Sequence, residues 1–206
     1  MRGYITVSGR SVGEYEEKRS RFIAVLQPVS TEQEATDFIA AVRQQRWDAR
    51  HNVYAYRLRE GNIARFSDDG EPQGTAGMPV LEVLQGAELT DCVMVVTRYF
   101  GGVLLGTGGL VRAYTVAAKA AVESGVLLNM QAASVCSACC DYNQYGRVSA
   151  LLADLGAADI TAEFGENVAV QLVIKTADLP ALIKKMTDLT AGRVKIEVKC
   201  EKFYPF

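Results

Sequence analysis

The sequence is short of several features, and each shortage argues against a class of protein. It holds one histidine among 206 residues, and no apolar run approaches the roughly 20 residues that a membrane-spanning helix needs. Its start lacks the apolar core of a signal peptide, and its five cysteines, an odd number, predict reduced thiols rather than a disulfide framework. The net charge of −2 gives no overall basic field that would attract nucleic acid. We therefore expect a cytoplasmic protein that does not bind membranes.

Several kinds of catalytic and metal site are also missing their usual residues. No Gly-x-Ser-x-Gly elbow accompanies His51, so a serine-hydrolase triad is not indicated, and a structural role for this histidine is favoured over that of a base. Cys136, Cys139 and Cys140 have no histidine in their half of the chain and are expected to be apolar core or strand-end thiols rather than zinc ligands. We predict no metal site and no cofactor.

The sequence does contain a glycine loop, residues 101–109, between a predicted buried strand and a predicted helix at 110–122. Five of its nine residues are glycine: Gly101, Gly102, Gly106, Gly108 and Gly109. Free backbone N–H groups and the helix dipole at such a junction favour an anion. Arg98, Thr107 and Arg112, which we place in the first helical turn, would add donors. The alternative is that the glycines only make a tight junction and Arg112 faces water. No Lys-Ser or Lys-Thr follows the glycines, which excludes a P-loop.

A second polar segment, the acidic loop at residues 67–77, carries three carboxylates within four residues and a nearby hydroxyl: Asp68, Asp69, Glu71 and Thr75. The carboxylates could hold Mg²⁺, pair with Arg50 or Arg98 in a functional surface, or serve only as turn residues. Because loops at strand ends commonly converge at one edge of a sheet, we expect this loop to lie close to Arg98 and the glycine loop.

The two halves of the chain differ in the type of cation they use. Residues 1–129 hold twelve Arg and two Lys, whereas residues 130–206 hold two Arg and six Lys. Since guanidinium groups suit planar contacts with phosphate and bases, the first half is the better candidate for a recognition surface, with compositional bias as the alternative. The candidate anion- or RNA-binding residues are Arg50, His51, Arg98, Gly101, Gly102, Gly106, Thr107, Gly108, Gly109 and Arg112.

Hydrophobic periodicity predicts an α+β protein with two domains, residues 1–129 and 130–206. In the first, we predict strands at 22–27, 51–58 and 63–66, a helix capped by Ser30, and a short helix that begins at Pro79. In the second, we predict strands at 132–140, 158–164, 168–175 and 193–200, with helices at 142–155 and 178–189. This βαββαβ order is that of a ferredoxin-like unit.

Several motifs, in this order along the chain, resemble the IMPACT family, including its bacterial branch. They are Lys18-x-Ser20-Arg21-Phe22, Asp48-Ala49-Arg50-His51, Ser67-Asp68-Asp69-Gly70-Glu71-Pro72-x-Gly74-Thr75-Ala76-Gly77, Gly77-x-x-Val80-Leu81-x-x-Leu84, Leu89, and Val95-Val96-Thr97-Arg98-Tyr99-Phe100-Gly101-Gly102-x-x-Leu105-Gly106. The resemblance implies an N-terminal domain similar to domain four of elongation factor G, in the superfamily of GHMP kinases and ribosomal proteins. It also implies a ferredoxin-like C-terminal domain and brings no established catalytic residues.

Two functions are consistent with these residues. The first is a non-catalytic cytoplasmic protein that acts on translation and contacts RNA, the ribosome or a protein partner through an Arg- and Gly-rich anion site. The resemblance implies the link to translation, which the eukaryotic relative regulates by competing for an activator of an initiation-factor kinase. The alternative is an enzyme acting on a small phosphorylated or carboxylated substrate, which the glycine loop would hold while Asp68, Asp69 or Glu71 handles a proton or a metal. The sequence does not specify the oligomeric state.

Overall fold

The computed structural model describes residues 3–206, which form two α+β units with antiparallel sheets. Contacts between Cα atoms divide the described chain into Tyr4–Leu128 as one unit and residues 3 and 129–206 as the other. None of the helices in this range combines the length and apolar character that crossing a bilayer requires.

The N-terminal unit is a five-stranded sheet with helices on both faces. Its elements are β1 (Tyr4–Val7), β2 (Ser11–Glu17), β3 (Ser20–Pro28), α1 (Glu32–Gln45), β4 (His51–Leu58), β5 (Ile63–Ser67), α2 (Gly77–Gly86), β6 (Cys92–Tyr99) and α3 (Gly106–Glu123). The strand order is β2-β3-β6-β4-β5, and each neighbouring pair is antiparallel. The predicted strand over residues 51–58 is confirmed to the residue.

The central strand, β6, is buried on both faces, which explains its continuous apolar run. Its even-numbered residues, such as Met94, pack in a core with α2 and α3, while odd-numbered ones, such as Val93, pack against α1. Since side chains alternate along a strand, Arg98 belongs to the α3 face. The alternation therefore places an arginine at the end of an otherwise apolar surface.

Helix starts differ from the predictions in three places. Thr31, not Ser30, caps α1, because its hydroxyl accepts from the Glu34 N–H while the Glu34 carboxylate accepts from the N–H of Ser30. The second helix, α2, begins at Gly77, two residues before Pro79. The third, α3, begins at Gly106, so the end of the glycine loop is helical.

Two strands, β1 and β2, have no counterpart in the sequence prediction. In β2, buried and more exposed residues alternate, and its outward positions include the acidic Glu14 and Glu16. Within the sheet, β2 is an edge strand that pairs with β3. Because β2 has no continuous apolar run, its sequence did not predict a strand.

The C-terminal unit has the predicted element order, β-α-β-β-α-β. Its elements are β7 (Leu127–Cys140), α4 (Tyr142–Asp154), β8 (Ala158–Phe164), β9 (Val168–Lys175), α5 (Leu179–Thr190) and β10 (Ile196–Pro205). The antiparallel pairs give the order β10-β7-β9-β8, and Leu152 and Leu182 of the two helices pack on the sheet. The last strand begins later than predicted, because Arg193 and Val194 hydrogen-bond back to Thr190 at the end of α5.

The cysteines of β7 alternate in direction. Cys136 and Cys140 are buried in the core of this unit, whereas Cys139 is exposed. Burial raises the pKa of the Cys136 thiol, which keeps it protonated. These placements agree with core and strand-end thiols.

Candidate functional site

A cleft of about 430 Å³ opens in the N-terminal unit where β4 begins and β6 ends. It is lined by Arg50, His51, Gly70, Glu71, Pro72, Arg98, Phe100, Leu104, Leu105, Gly106, Thr107 and Leu110. These residues come from the acidic loop, the glycine loop and the two strand ends. The predicted convergence of the two loops near Arg98 is confirmed.

The sheet itself brings His51 and Arg98 together. In the antiparallel register of β4 and β6, His51 is the partner of Arg98. Directly opposed residues point to the same face of a sheet, so both side chains lie on the α3 side. The acidic loop then folds over this edge through Asp69 and Gly70, which have positive φ angles of 45° and 86°.

At the floor of the cleft, Arg98, Glu71 and Tyr114 form a buried polar cluster. Arg98 Nη1 donates to Glu71 Oε1 at 2.6 Å, and the Tyr114 hydroxyl donates to the same oxygen at 2.8 Å. Only 7% of the Arg98 side chain and 4% of the Glu71 side chain are exposed. These contacts favour the interpretation in which Arg98 pairs with a carboxylate of the acidic loop over the one in which it binds an anion directly.

Aromatic rings complete the surroundings of this cluster. The Arg98 guanidinium carbon lies 5.5 Å from the ring centroids of both Phe22 and Phe100. The rings of Phe22 and Tyr114 meet edge to face at 5.0 Å. Burial and the negative charge of Glu71 raise the pKa of Tyr114, so its hydroxyl stays a neutral donor.

Tyr114 was not predicted as a site residue, although its position in the sequence indicates a buried polar contact. It lies within the Ala-rich helix α3, among small residues of the core face such as Ala113 and Ala117. A large polar-tipped side chain on such a face requires a buried hydrogen-bond partner.

His51 is held in one tautomer by the backbone. Its Nδ1 lies 2.8 Å from the carbonyl oxygen of Asp69, which only accepts, so Nδ1 carries a hydrogen. The other nitrogen, Nε2, lies 3.9 Å from Glu71 Oε1, beyond hydrogen-bonding distance. Nε2 therefore has no hydrogen-bond partner among the described residues.

Two further polar atoms of the cluster have no hydrogen-bond partner in the described part of the chain. Glu71 Oε2 accepts no hydrogen bond there, because both donors bind Oε1. Arg98 Nε is buried and also unpaired. Of these two atoms only Arg98 Nε is shut off from solvent, where an unpaired donor is costly, whereas Glu71 Oε2 keeps access to solvent.

The N-terminus of α3 forms one rim of the cleft. In residues 3–206, no side chain caps it, and its first turn holds no acidic residue. The turn consists of Gly106, Thr107, Gly108 and Gly109, and a Cβ atom built at Gly106 or Gly108 meets nothing within 4 Å. The first backbone N–H groups of a helix lack intrahelical partners, so this rim offers donors to an anion.

Gly101 and Gly102 are instead required by the local backbone conformation. The Gly101 N–H donates to the Ser20 hydroxyl at 3.1 Å, and a Cβ at Gly101 would lie 2.1 Å from the carbonyl carbon of Arg19. Gly102 has a φ of 85°. Neither residue lines the cleft.

The other acidic-loop side chains are used locally. Asp68 accepts from the N–H groups of Gly74, Ala76 and Gly77, which caps α2. Asp69 accepts from Arg43 and from the Asn52 N–H. The Thr75 hydroxyl donates to the carbonyl of Pro72. The three carboxylates thus have separate partners, and residues 3–206 contain no cluster of three or more His, Cys, Asp or Glu suited to a metal ion.

The two remaining candidate arginines lie in different places. Arg50 is exposed and lines the cleft. Arg112 is not in the first turn of α3, as expected from the sequence, but in the second, because the helix begins at Gly106. It is exposed and lies outside the cleft lining. The hydrogen bond to Glu17 raises the pKa of Tyr15, and the positive charge of Arg112 partly offsets that rise.

Comparison with known families places this cleft in a defined domain. The Impact N-terminal domain model matches residues 18–122, and a domain of unknown function, DUF1949, matches residues 140–193. The chain belongs to the IMPACT family. All residues that line the cleft fall within the IMPACT N-terminal domain match.

Several relatives match almost the whole of this chain and almost the whole of their own length. IMPACT family member YvyE of Bacillus subtilis is 37% identical over 198 residues, which cover 96% of this chain and 91% of that protein. YigZ of Escherichia coli is 33% identical over 184 residues, covering 88% and 90%. A crystal structure described as a hypothetical protein aligns with a TM-score of 0.62 at 30% identity, covering 96% of this chain and 98% of that one.

Proposed function

We propose that this IMPACT-family protein is a non-catalytic RNA-binding protein of translation control, and that its cleft binds a phosphate of the RNA. The observation that carries this proposal is the uncapped N-terminus of α3, which lines the same cleft as Arg50. A helix N-terminus carries about half a positive charge, and its N–H groups point toward an anion.

The charges around the cleft support a phosphate at its rim. Arg98 is neutralised by Glu71 at the floor, so Arg50 and the first turn of α3 supply the uncompensated positive character. Exposed Arg50 can reorient to a phosphate without breaking a buried contact. An RNA strand or an RNA segment of the ribosome presents such phosphates.

We also propose a specific fold for each of the two domains and a cytoplasmic location for the protein. The β-α-β-β-α-β order and the strand order β10-β7-β9-β8 support a ferredoxin-like C-terminal domain. For the N-terminal domain we propose similarity to domain four of elongation factor G. The five cysteines are all free, which supports a cytoplasmic location.

Fluorescence anisotropy with a short labelled single-stranded RNA tests this function. We expect Arg50→Ala to weaken binding about tenfold or more, because a charge-assisted hydrogen bond contributes about 1.5–3 kcal/mol. The slope of log affinity against log salt should fall by about 0.7, the value for one phosphate contact on a single strand.

The matched control is Arg65→Ala, which removes the same charge from an exposed position on β5 outside the cleft. It should leave both affinity and salt slope close to those of the parent protein. Equal effects of the two variants would mean that charge alone, not the cleft, attracts RNA. No RNA binding by the parent protein at low salt would reject the proposed function.

A second candidate function is catalysis on a small phosphorylated or carboxylated substrate. The buried carboxylate of Glu71 beside Nε2 of His51 favours it, since such a pair can move a proton. Mass spectrometry of small molecules that copurify with the full chain distinguishes the two. A stoichiometric phosphate ester supports the enzyme, and copurifying RNA supports the binding protein.

A further inference from the structure

The floor of the cleft differs chemically from its rim. The rim offers donors, namely the N–H groups of α3 and the guanidinium of Arg50. The floor offers an acceptor, because Glu71 Oε2 receives no hydrogen bond from the described chain. Glu71 is 91% buried, so its free oxygen can be completed only by what enters the cleft.

A phosphate cannot satisfy the floor. A phosphodiester group has no hydrogen to donate, and the Glu71 carboxylate oxygen can only accept, so the two cannot form a hydrogen bond. The floor instead requires a neutral hydrogen-bond donor, such as a hydroxyl group. A ligand that satisfies both parts therefore carries an anionic group and, close to it, a hydroxyl.

The wall between floor and rim is apolar. Phe100 is 44% exposed, and the Arg98 guanidinium lies over its ring. Leu104 and Leu105 extend this wall. Unstacked bases of single-stranded RNA pack on such exposed rings. The cleft volume of about 430 Å³ is within the range of sites for one small ligand unit.

In RNA, each ribose carries a 2′-hydroxyl next to its 3′-phosphate, and DNA lacks this hydroxyl. We propose that Glu71 Oε2 accepts a hydrogen bond from a ribose 2′-hydroxyl while the adjacent phosphate lies at the N-terminus of α3. The cleft thereby distinguishes RNA from DNA. This inference rests on the proposed function and adds the part of the nucleotide that gives selectivity.

The test compares three oligonucleotides of one sequence by anisotropy on the full chain: RNA, DNA and 2′-fluoro RNA. The fluorine keeps the RNA sugar pucker but cannot donate a hydrogen bond. We expect RNA to bind about tenfold or more tightly than either of the others, which corresponds to one hydrogen bond to a charged group.

Glu71→Gln tests the floor itself. Its carbonyl can still accept from Arg98 and Tyr114, while its NH₂ group takes the place of Oε2 and turns an acceptor into a donor. The preference for RNA over 2′-fluoro RNA should fall below about twofold. Glu82→Gln, which removes an equal charge from an exposed position of α2 outside the cleft, should keep the full preference.

The outcomes separate this inference from the proposed function. If RNA, DNA and 2′-fluoro RNA bind the parent protein equally and with the same salt dependence, the hydroxyl contact is wrong and the phosphate site stands. A preference for RNA that 2′-fluoro RNA shares equally also overturns the contact, because the discrimination then comes from sugar pucker. If none of the three binds, both proposals fail.

Discussion

Replacing Arg98 by alanine should destabilise the N-terminal unit severely. Its guanidinium binds Glu71 Oε1 at 2.6 Å, and both side chains are almost fully buried. The substitution leaves a buried carboxylate with Tyr114 as its one remaining hydrogen-bond donor among the described residues. Removing one partner of a buried pair costs about 3–5 kcal/mol, a large part of the 5–15 kcal/mol by which proteins are stable.

Contacts with the aromatic rings add to the loss. The guanidinium lies over both Phe22 and Phe100, and alanine keeps neither contact. Arg98→Lys should recover only part of the stability, because an ammonium group cannot reproduce the planar contacts of a guanidinium.

Urea denaturation of the full chain measures the change in the free energy of unfolding. Hydrogen exchange of peptides from β6, with β9 of the other unit as reference, locates it. Arg65→Ala, an exposed arginine on β5, should change the free energy of unfolding by less than about 0.5 kcal/mol.

A double variant tests the physical reason. Arg98→Met with Glu71→Gln removes both charges and keeps an amide oxygen that accepts from Tyr114, so most of the lost stability should return. A single variant within about 1 kcal/mol of the parent protein would refute the reasoning. So would a double variant as unstable as Arg98→Ala, since the unpaired carboxylate would then not be the cause.

Two further predictions concern backbone packing and alkaline pH. Gly101→Ala should destabilise the N-terminal unit by more than about 1 kcal/mol, because its Cβ would overlap Arg19, whereas Gly146→Ala, in open space within α4, should stabilise the other unit by up to about 1 kcal/mol. Hydrogen exchange resolves the two units. The raised pKa of Tyr114 stabilises the fold below its ordinary value of 10.0, and this contribution is lost as pH rises through the folded-state pKa. Tyr114→Phe should therefore show a shallower fall in unfolding free energy above about pH 10, and an unchanged slope would contradict this.

Local pattern predicted much of the fold. Both ends of β4, β8 and β9 were predicted correctly. Alternating or continuous apolar runs bounded by polar turns specify a strand locally. The start of α3 was placed four residues late, since Gly106, Gly108 and Gly109 have low helix propensity. Here the surrounding tertiary structure outweighs local preference.

The candidate site was predictable in composition but not in roles. The sequence by itself determined that an acidic loop and a glycine-rich loop each follow a strand and that Arg98 lies at the end of a buried strand. Which of three carboxylates meets Arg98 was decided by tertiary structure, because Asp68 accepts from local backbone N–H groups whereas Asp69 binds Arg43 and the Asn52 N–H. Glu71 joins partners 27 and 43 residues away in the sequence. Such contacts depend on where the chain places strand ends and helix faces in space, which no local spacing of residues encodes.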